Sequence, residues 1–400
     1  MSLSRRSFVA GVATATLARP RSLASQSHAP RTAPERFDPW LEVDPAALRF
    51  NVGVISALVG GRPIMAVIKN NAYGLGLTTV AAALEPMPQI MGFAVVKTES
   101  ALALLDAGVQ KPVLLMGLFA DVDGPELVSR GVRLSLCTDD SGKRAAHAAV
   151  RAGRTARAHI YLDTGMSRMG VPYHRALPWL EELSTCGIEI EGTFTGLTEE
   201  PDFDREQLRR FTELAAAARA RGINLGALHA ASSNAAYHFP EAHLDLIRPG
   251  IALFGAYPSD SASERAIAEL RTAFRLRGRV VRVEQLRKGD SVSYGRRYVA
   301  ERPTWIATLP VGHSDGYPRE AVNGARVLIN GTLYPVIGAV SASHTIIELG
   351  DEPTAAIGDI ATLIGPDHPS VHPNFVATVT GRSVYDVLMH LNPDLPKVIV

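Results

Sequence analysis

The amino-acid sequence predicts an α/β + β protein: an N-terminal (β/α)8 TIM-type barrel followed by a C-terminal mainly β domain. First, eight apolar, strand-like runs alternate with segments of helical periodicity. Second, this alternation stops at about residue 270, where short alternating strands begin. Third, the Asn330–Gly331 pair between two such strands is a typical hairpin turn. A doubly wound parallel sheet is the alternative for the first part.

The barrel prediction depends on the order of the strands along the chain. Stretches such as "TESALALLDAG" and "DREQLRRFTELAAAARARG" separate them, with apolar residues at every third or fourth position, as in a helix. We assign residues 37–270 to the barrel and 271–400 to the β domain. The candidate barrel strands are residues 64–69, 92–96, 113–117, 133–138, 158–163, 189–195, 227–232 and 245–248.

The first 30 residues form a leader of different composition. Arg5 and Arg6 precede Phe8 and a short alanine-rich stretch, and this pattern resembles a twin-arginine export signal. The apolar stretch is too short to span a membrane, so we expect no stable membrane insertion. We therefore exclude residues 1–30 from the fold and expect the mature protein in the periplasm.

The composition favours a small-molecule ligand. Lys plus Arg number 41 and Asp plus Glu number 40, so the net charge of +1 gives no reason to expect a nucleic-acid partner. The two cysteines, Cys137 and Cys186, lie far apart without CxxC spacing. We therefore predict neither a disulfide framework nor a metal site.

Polar residues follow the candidate strands at their carboxyl ends, where barrels of this class carry their active sites. They are Lys69 after the first strand, Arg168 after the fifth, His229 and Ser233 after the seventh, and Arg248 at the end of the eighth. Because the last two loops commonly bind phosphate, Ser233 and the backbone near Gly250 are candidate phosphate ligands. A phosphate site beside a lysine at a strand end suggests pyridoxal phosphate, held as a Schiff base.

Five motifs make the chain resemble the alanine racemases, which are fold-type III pyridoxal-phosphate enzymes. The motifs are "AVIKNNAYGLG", "GFAVVKTESALALLDAG", "LDTGMSRMG", "RPGIALFG" and "SVSYG", and they occur in the family's order. The resemblance covers about residues 37 to 400. It implies pyridoxal 5′-phosphate as cofactor and an amino acid as substrate. It also implies a homodimer in which the β domain of one subunit completes the active site of the other.

The resemblance gives each matching residue a role. Lys69 resembles the Schiff-base lysine and one catalytic base, and Tyr294 resembles the second base, supplied across the dimer. The other implied cofactor contacts are Tyr73, Ser233, Gly250 and Ile251 at the phosphate, Arg248 at the pyridine nitrogen, His229 behind Arg248, and Arg168 beside the ring hydroxyl. The implied substrate contacts are Arg168, His313 and Ala342.

Racemisation explains why a lysine and a tyrosine are needed together. Inversion at Cα requires one base on each face of the planar carbanion. Both residue types have an unperturbed pKa of about 10, so at least one pKa must be lowered by its surroundings. An arginine at the pyridine nitrogen keeps its proton, since its pKa is above about 12. The ring is then a weaker electron sink, which limits transamination.

The chain departs from the family pattern mainly on the substrate side. Tyr161 stands where the family commonly has a lysine that holds the arginine, and Gly196 stands where it usually has a histidine. The other departures are His313 for a tyrosine, Ala342 and Ser343 for a methionine and an aspartate, and Pro393 for a phosphate-binding tyrosine, although Tyr385 is nearby. We therefore expect a racemase for alanine or broader neutral amino acids.

Two other classes of function stay open. The altered pocket permits other pyridoxal-phosphate chemistry, such as decarboxylation or retro-aldol cleavage. A non-catalytic pyridoxal-phosphate binder is the third hypothesis, suggested by Gly196 and His313. A binder has no need for a β domain that carries "SVSYG", so we rank it last.

Overall fold

The structure is a computed structural model that describes residues 36–259 and 261–400. It contains a parallel barrel followed by a mainly β domain, which confirms the predicted fold class. The export leader assigned to residues 1–30 lies outside the described residues. Within the described ranges, no helix is long and apolar enough to cross a membrane.

The barrel strands occur where the apolar runs predicted them. Strand β1 (Trp40–Val43) belongs to the second domain, so the barrel begins with β2. The barrel strands are β2 (Ile64–Val67), β3 (Ile90–Val95), β4 (Val113–Leu115), β5 (Arg133–Leu136), β6 (Arg157–Asp163), β8 (Glu189–Phe194) and β9 (Ala227–His229). They pair in parallel in chain order, and the two-residue β7 (Val171–Pro172) pairs with the end of β6.

A short segment at residues 245–249 closes the barrel between β9 and β2. The amide of Met65 donates to the carbonyl of Ile247 at 2.9 Å, and the amide of Arg248 donates to the carbonyl of Ala231 at 2.8 Å. The segment forms only one regular parallel bridge, Ile64 with Ile247, and Pro249, which has no N–H, follows it directly. The first part is therefore a closed barrel and not a doubly wound sheet.

Helices surround the barrel and occupy the second domain. Several begin at side-chain caps; for example, the Asp44 carboxylate accepts hydrogen bonds from the amides of Ala46 and Ala47 at the start of helix Pro45–Leu58. The helices are α1 (Pro45–Leu58), α2 (Lys69–Tyr73), α3 (Leu77–Leu84), α4 (Thr98–Asp106), α5 (Gly124–Ser129), α6 (Ser141–Ala152), α7 (Tyr173–Leu183), α8 (Pro201–Ala220), α9 (Ser233–His238), α10 (Ser261–Ile267), α11 (Pro373–Thr380) and α12 (Val384–Met389). Short 3-10 turns include Ile251–Phe254, Tyr294–Arg296 and His313–Asp315.

The second domain is built on one long, mostly antiparallel sheet. The order of its strands is β11-β14-β17-β16-β15-β18-β10-β1-β19, and β12 pairs with β13 separately. The hairpin between β15 and β16 turns at Asn330 and Gly331, both with positive φ, as predicted for this pair. The strands are β10 (Phe274–Arg279), β11 (Arg282–Leu286), β12 (Ser291–Val292), β13 (Tyr298–Val299), β14 (Thr304–Leu309), β15 (Arg326–Ile329), β16 (Thr332–Ile337), β17 (Thr345–Gly350), β18 (Ile360–Ile364) and β19 (Lys397–Ile399).

Strand β1 connects the start of the barrel domain to the second sheet. It pairs antiparallel with β10 and parallel with β19. Glu42 on β1 forms an ion pair with Arg277 at 3.2 Å. Residues 40–43 lie inside the range that sequence assigned to the barrel, 37–270, but their strand partners are all in the β domain. The two domains are therefore joined by backbone hydrogen bonds as well as by the chain.

Candidate active site

Lys69 lies at the carboxyl end of β2, at the start of a turn with an uncommon backbone. The four residues that follow it, 70–73, have φ between +51° and +55°, so α2 is a left-handed turn. Left-handed backbone costs about 1–2 kcal/mol for each residue such as Ala72 or Tyr73. The Asn71 side chain supports the turn by accepting a hydrogen bond from the amide of Leu77 at 2.9 Å. Strain of this kind is concentrated at functional sites, and here it aims Tyr73 at the barrel mouth.

The surroundings of Lys69 favour its neutral amine. The side chain is partly buried, and its pKa is lowered first by burial and then by the positive charge of Arg168. Its amine has no hydrogen-bond partner within residues 36–259 and 261–400. Arg168 itself is exposed. It does not pair with Asp163, whose carboxylate instead accepts the amides of Gly165 and Ser167.

Tyr73, Ser233, Gly250 and Ile251 come together as a cradle at the barrel mouth. The hydroxyl oxygen of Ser233 accepts the amides of Gly250 at 2.9 Å and Ala252 at 3.3 Å, which leaves its own proton free to donate. A Cβ on Gly250 would lie 2.2 Å from the Tyr73 hydroxyl, so only glycine allows that approach. Ile251 opens the 3-10 turn that ends at Phe254, and Phe254 packs on the Tyr73 ring.

The Tyr73 hydroxyl is a neutral donor. Its pKa is raised by burial and by the nearby negative charge of Glu199. In the part of the chain that the structure describes, this hydroxyl bonds to no protein group. The ring of Tyr385 lies 6.4 Å from that of Tyr73, whereas Pro393 lines a separate cavity of about 480 Å³. Tyr385 is thus the C-terminal tyrosine nearest to the cradle.

Arg248 is held by the strand ends around it. Its Nη1 donates to Nδ1 and to the carbonyl of His229, both at 2.8 Å, and its Nη2 donates to the carbonyl of Thr195 at 2.7 Å. Burial lowers the pKa of Arg248 to about 10, which still leaves it charged at neutral pH. Among the described residues, Nε of this guanidinium has no partner and remains available to a ligand.

A second histidine extends the Arg248 contact into the barrel. Nε2 of His229 lies 2.9 Å from Nδ1 of His159 on β6. Burial and the charge of Arg248 lower the pKa of His229 far below its usual value, and burial lowers that of His159 to about 3. Because Arg248 donates to Nδ1 of His229, the proton of His229 must be on Nε2, which donates to His159. Both rings are therefore neutral, and their tautomers are fixed.

His159 and Glu199 were not among the residues singled out from the sequence. His159 could have been found as a polar residue on a strand otherwise apolar, two positions before Tyr161. Glu199 has φ +65° and lies 3.5 Å from the Ser232 hydroxyl, beside the cradle. Burial and Asp204 raise its pKa. No local pattern marks Glu199, since it lies in a loop.

Tyr294, His313 and Ala342 form a second cluster, on the β domain. Together with Arg297 and Arg319 they line a cleft of about 560 Å³. Tyr294 is 82% exposed, unusually high for a tyrosine. No hydrogen bond within the described ranges joins this cluster to Lys69. The predicted site residues thus fall into two groups, one at the barrel mouth and one on the β domain, and Lys69 does not line the cleft of the second group.

Tyr161 lies under the barrel mouth beside Gly196. Its ring stacks on Phe194 with centroids 4.3 Å apart, and Phe194 stacks in turn on His229 at 5.2 Å. No hydrogen bond joins Tyr161 to Arg168 in the described chain, so this phenol does not hold that arginine.

Comparisons with known proteins match nearly the whole described chain. The family model for the alanine racemase N-terminal domain matches residues 43–258, and the one for the C-terminal domain matches residues 273–399. Alanine racemase of Symbiobacterium thermophilum is 36% identical over 332 residues, which are 82% of this chain and 87% of that protein. Alanine racemase 2 of Caldanaerobacter subterraneus subsp. tengcongensis is 34% identical over 81% of this chain and 85% of that protein.

Solved structures show the same likeness. The alanine racemase of Clostridium difficile 630 superposes with a TM-score of 0.84 at 26% identity, covering 91% of this chain and 96% of that one. The alanine racemase of Streptomyces coelicolor A3(2) gives a TM-score of 0.83 at 28% identity, covering 92% and 99%.

Proposed function

The chain belongs to the alanine racemase family, and we propose that it racemises alanine and larger neutral amino acids with Lys69 and Tyr294 as its two bases. The enzymes of this family depend on pyridoxal 5′-phosphate. The observation that carries the proposal is the set of polar groups at the barrel mouth without protein partners. They are the amine of Lys69, the hydroxyl of Tyr73 and Nε of Arg248. These groups are accessible and have no partner among the described residues, so they are available to a polar ligand.

The donor set fits pyridoxal phosphate. Tyr73, the Ser233 hydroxyl and the amide of Ile251 surround a position suited to a phosphate. Arg248 would contact the ring nitrogen with a guanidinium that keeps its proton. When bound, pyridoxal phosphate withdraws electrons from the bonds to the substrate's Cα and makes its proton removable.

Lys69 and Tyr294 would exchange protons with opposite faces of Cα. The lowered pKa of Lys69 gives a larger fraction of free amine at neutral pH, so that it can accept the proton. The exposure of Tyr294 supports our proposal that it serves a site on a second subunit, as the family resemblance implies. A homodimer would then carry two sites, each with the lysine of one chain and the tyrosine of the other.

The substrate proposal extends beyond alanine because the side chains facing the substrate are small. Gly196 and Ala342 replace a histidine and a methionine of the family pattern, which leaves room for a longer side chain.

The leader supports a further proposal, that the protein acts in the periplasm after export. Expression of the full chain and recovery of the protein from osmotic-shock fluid, and its retention in the cytoplasm when Arg5 and Arg6 become lysines, would test this.

Chiral chromatography tests the activity. Purified protein loaded with pyridoxal phosphate is incubated with a panel of L-amino acids, and the D-enantiomers are quantified. We expect D-alanine and D-enantiomers of larger neutral amino acids, and none from Lys69→Ala. Full activity of Lys69→Ala would contradict the proposal. Release of carbon dioxide or an aldehyde without D-product would favour decarboxylation or retro-aldol cleavage.

A further inference from the structure

The hydroxyl of Tyr161 has no protein partner among the described residues, although the ring that carries it is buried. The side chain is 7% exposed, and its ring is fixed by the stack on Phe194 and by contacts with Cys137 and Met169. Within residues 36–259 and 261–400 no hydrogen bond to the hydroxyl is formed. The hydroxyl is not sealed from solvent, so it can donate its proton to a molecule that enters the space beside it. A ligand bound beside the hydroxyl would be such a partner.

Gly196 leaves open the space beside the Tyr161 hydroxyl, and its backbone geometry does not need glycine. Its φ is not in the left-handed region, so another residue could adopt this backbone. A Cβ at position 196, however, would lie 3.4 Å from the Tyr161 hydroxyl and 3.3 Å from Sδ of Met166. The backbone cannot move away easily, because the Gly196 carbonyl accepts a hydrogen bond from the Gln207 amide at 3.0 Å. A side chain at 196 would therefore fill the space in front of the hydroxyl.

The Tyr161 side chain also lies near the charge of Arg248. Arg248 lies near enough for Tyr161 to influence its pKa, and its guanidinium is over the Phe194 ring, on which Tyr161 stacks. A phenol O–H beside a cation is well placed to donate to an anionic oxygen. Both the oxygen on the ring of pyridoxal phosphate and the carboxylate of an amino acid have this chemistry.

We propose that Tyr161 and Gly196 act as a pair: the Tyr161 hydroxyl donates a hydrogen bond to an anionic oxygen of the bound cofactor or amino acid, and Gly196 keeps that position open. The proposal rests on the proposed function, since it needs pyridoxal phosphate and an amino acid at this position. It makes Tyr161 a binding and positioning residue in place of the two side chains that the family pattern has at 161 and 196.

The test uses Tyr161→Phe, which removes the hydroxyl and keeps the ring stack. Tyr334→Phe is the matched control, because Tyr334 is also a buried residue and its hydroxyl bonds to Thr354 at 2.8 Å in the β domain. Two affinities are measured. The first is the dissociation constant of pyridoxal phosphate without amino acid, by equilibrium dialysis. The second is the dissociation constant of alanine, from its effect on the visible spectrum of the loaded protein.

We expect Tyr161→Phe to weaken one of the two affinities by about tenfold or more, the size of a lost hydrogen bond to a charged group. A lower affinity for pyridoxal phosphate would identify the ring oxygen as the acceptor, and a lower affinity for alanine would identify the carboxylate. KM should rise in the second case, with kcat changed by less than about threefold. If both affinities stay within twofold of the Tyr334→Phe control, the proposal is wrong.

Gly196→Leu tests the pairing. We expect it to weaken the same affinity as Tyr161→Phe, with little added effect in the double variant, because residues that act together are not additive. Full additivity would contradict the pairing. Neither affinity depends on turnover, so a protein that forms no D-amino acid but loses affinity in Tyr161→Phe would refute racemisation and support this inference.

Discussion

Lys69 shows how two neighbouring features convert an ordinary residue type into a reactive one. A lysine at a strand end is usually solvated and protonated at neutral pH. Here partial burial disfavours the cation, and Arg168 adds a second positive charge nearby. Both effects act in the same direction, which satisfies the requirement that at least one of the two bases have a lowered pKa.

Arg168→Gln should raise the pKa of Lys69, because removal of a like charge makes protonation easier. An amine-selective reagent modifies Lys69 of the apo protein faster as the pH rises. In Arg168→Gln this increase in rate should occur at a higher pH than in wild type. Peptide mass spectrometry after modification at several pH values would measure this. Arg205→Gln is the control, since Arg205 is exposed and paired with Asp202. An unchanged pH profile in Arg168→Gln would show that burial alone sets the pKa of Lys69.

At the scale of elements, the left-handed turn α2 and the 3-10 turn Ile251–Phe254 meet at one close contact. The turn carries Tyr73 to the mouth, and the absence of a side chain on Gly250 lets its hydroxyl approach. Each element alone is a strained or irregular piece of backbone. The contact between the two turns forms the cradle of Tyr73, Ser233, Gly250 and Ile251.

Gly250→Ala should weaken pyridoxal-phosphate binding by about 10- to 100-fold, because the added methyl would lie 2.2 Å from the Tyr73 hydroxyl and overpacking costs about 1–3 kcal/mol. Equilibrium dialysis measures the affinity. Gly53→Ala is a matched control: a Cβ there meets nothing within 4 Å, and helix α1 should gain about 0.5–1 kcal/mol of stability. Unchanged affinity in Gly250→Ala would mean that Tyr73 moves aside at no cost.

At the scale of the whole molecule, the predicted site residues fall into two groups on different domains. Lys69 is at the barrel mouth, and the exposed Tyr294 is on the β domain beside His313 and Ala342. A symmetric pair of chains offers each surface to the other twice. The proposed dimer accounts for an exposed tyrosine in a strained turn, where Ser293 and Arg296 both have positive φ.

Mixing two inactive variants tests shared sites. Lys69→Ala and Tyr294→Phe should each lose at least about 100-fold in kcat/KM, the usual contribution of a general acid–base group. After the two are unfolded and refolded together, half of the dimers are mixed, and each mixed dimer has one intact site. We expect about a quarter of wild-type activity. Lys69→Ala mixed with the double variant should recover nothing, and no recovery in the first mixture would contradict a shared site.

Buried neutral histidines should make the whole protein sensitive to acid. Burial lowers the pKa of His159 to about 3 and that of His372 to about 4. It also lowers the pKa of His229 well below its usual value. A depressed histidine pKa means that the unfolded chain binds the proton first, so stability is complete above about pH 6.5 and falls below it. Each histidine contributes about 1.4 kcal/mol per pH unit.

Denaturant unfolding at pH 7, 6 and 5 measures this slope. We expect the free energy of unfolding to fall with pH, and less steeply in His372→Asn than in wild type. Asn supplies a side-chain acceptor for the amide of Asn374, as Nδ1 of His372 does now. Equal stability at pH 7 and 5 would show that these rings are hydrated when protonated.

The sequence by itself determined the elements and the cofactor half of the candidate site. Apolar periodicity is local, so it located the barrel strands and the Asn330–Gly331 hairpin correctly. The motifs located Lys69, Tyr73, Ser233 and Arg248, which the fold brings together because parallel strands of a closed barrel end at one rim. The family and the fold class are confirmed, whereas the catalytic roles of these residues stay predictions.

Tertiary structure alone decided which distant residues touch. The hydrogen bonds from Arg248 to His229 and from His229 to His159 join three separate segments of the barrel, and the membership of β1 in the second sheet depends on partners more than 200 residues away. The space between Tyr161 and Gly196 is likewise a property of two neighbouring strands. Such contacts depend on packing between segments remote in the chain, and no local pattern of residues encodes their distances.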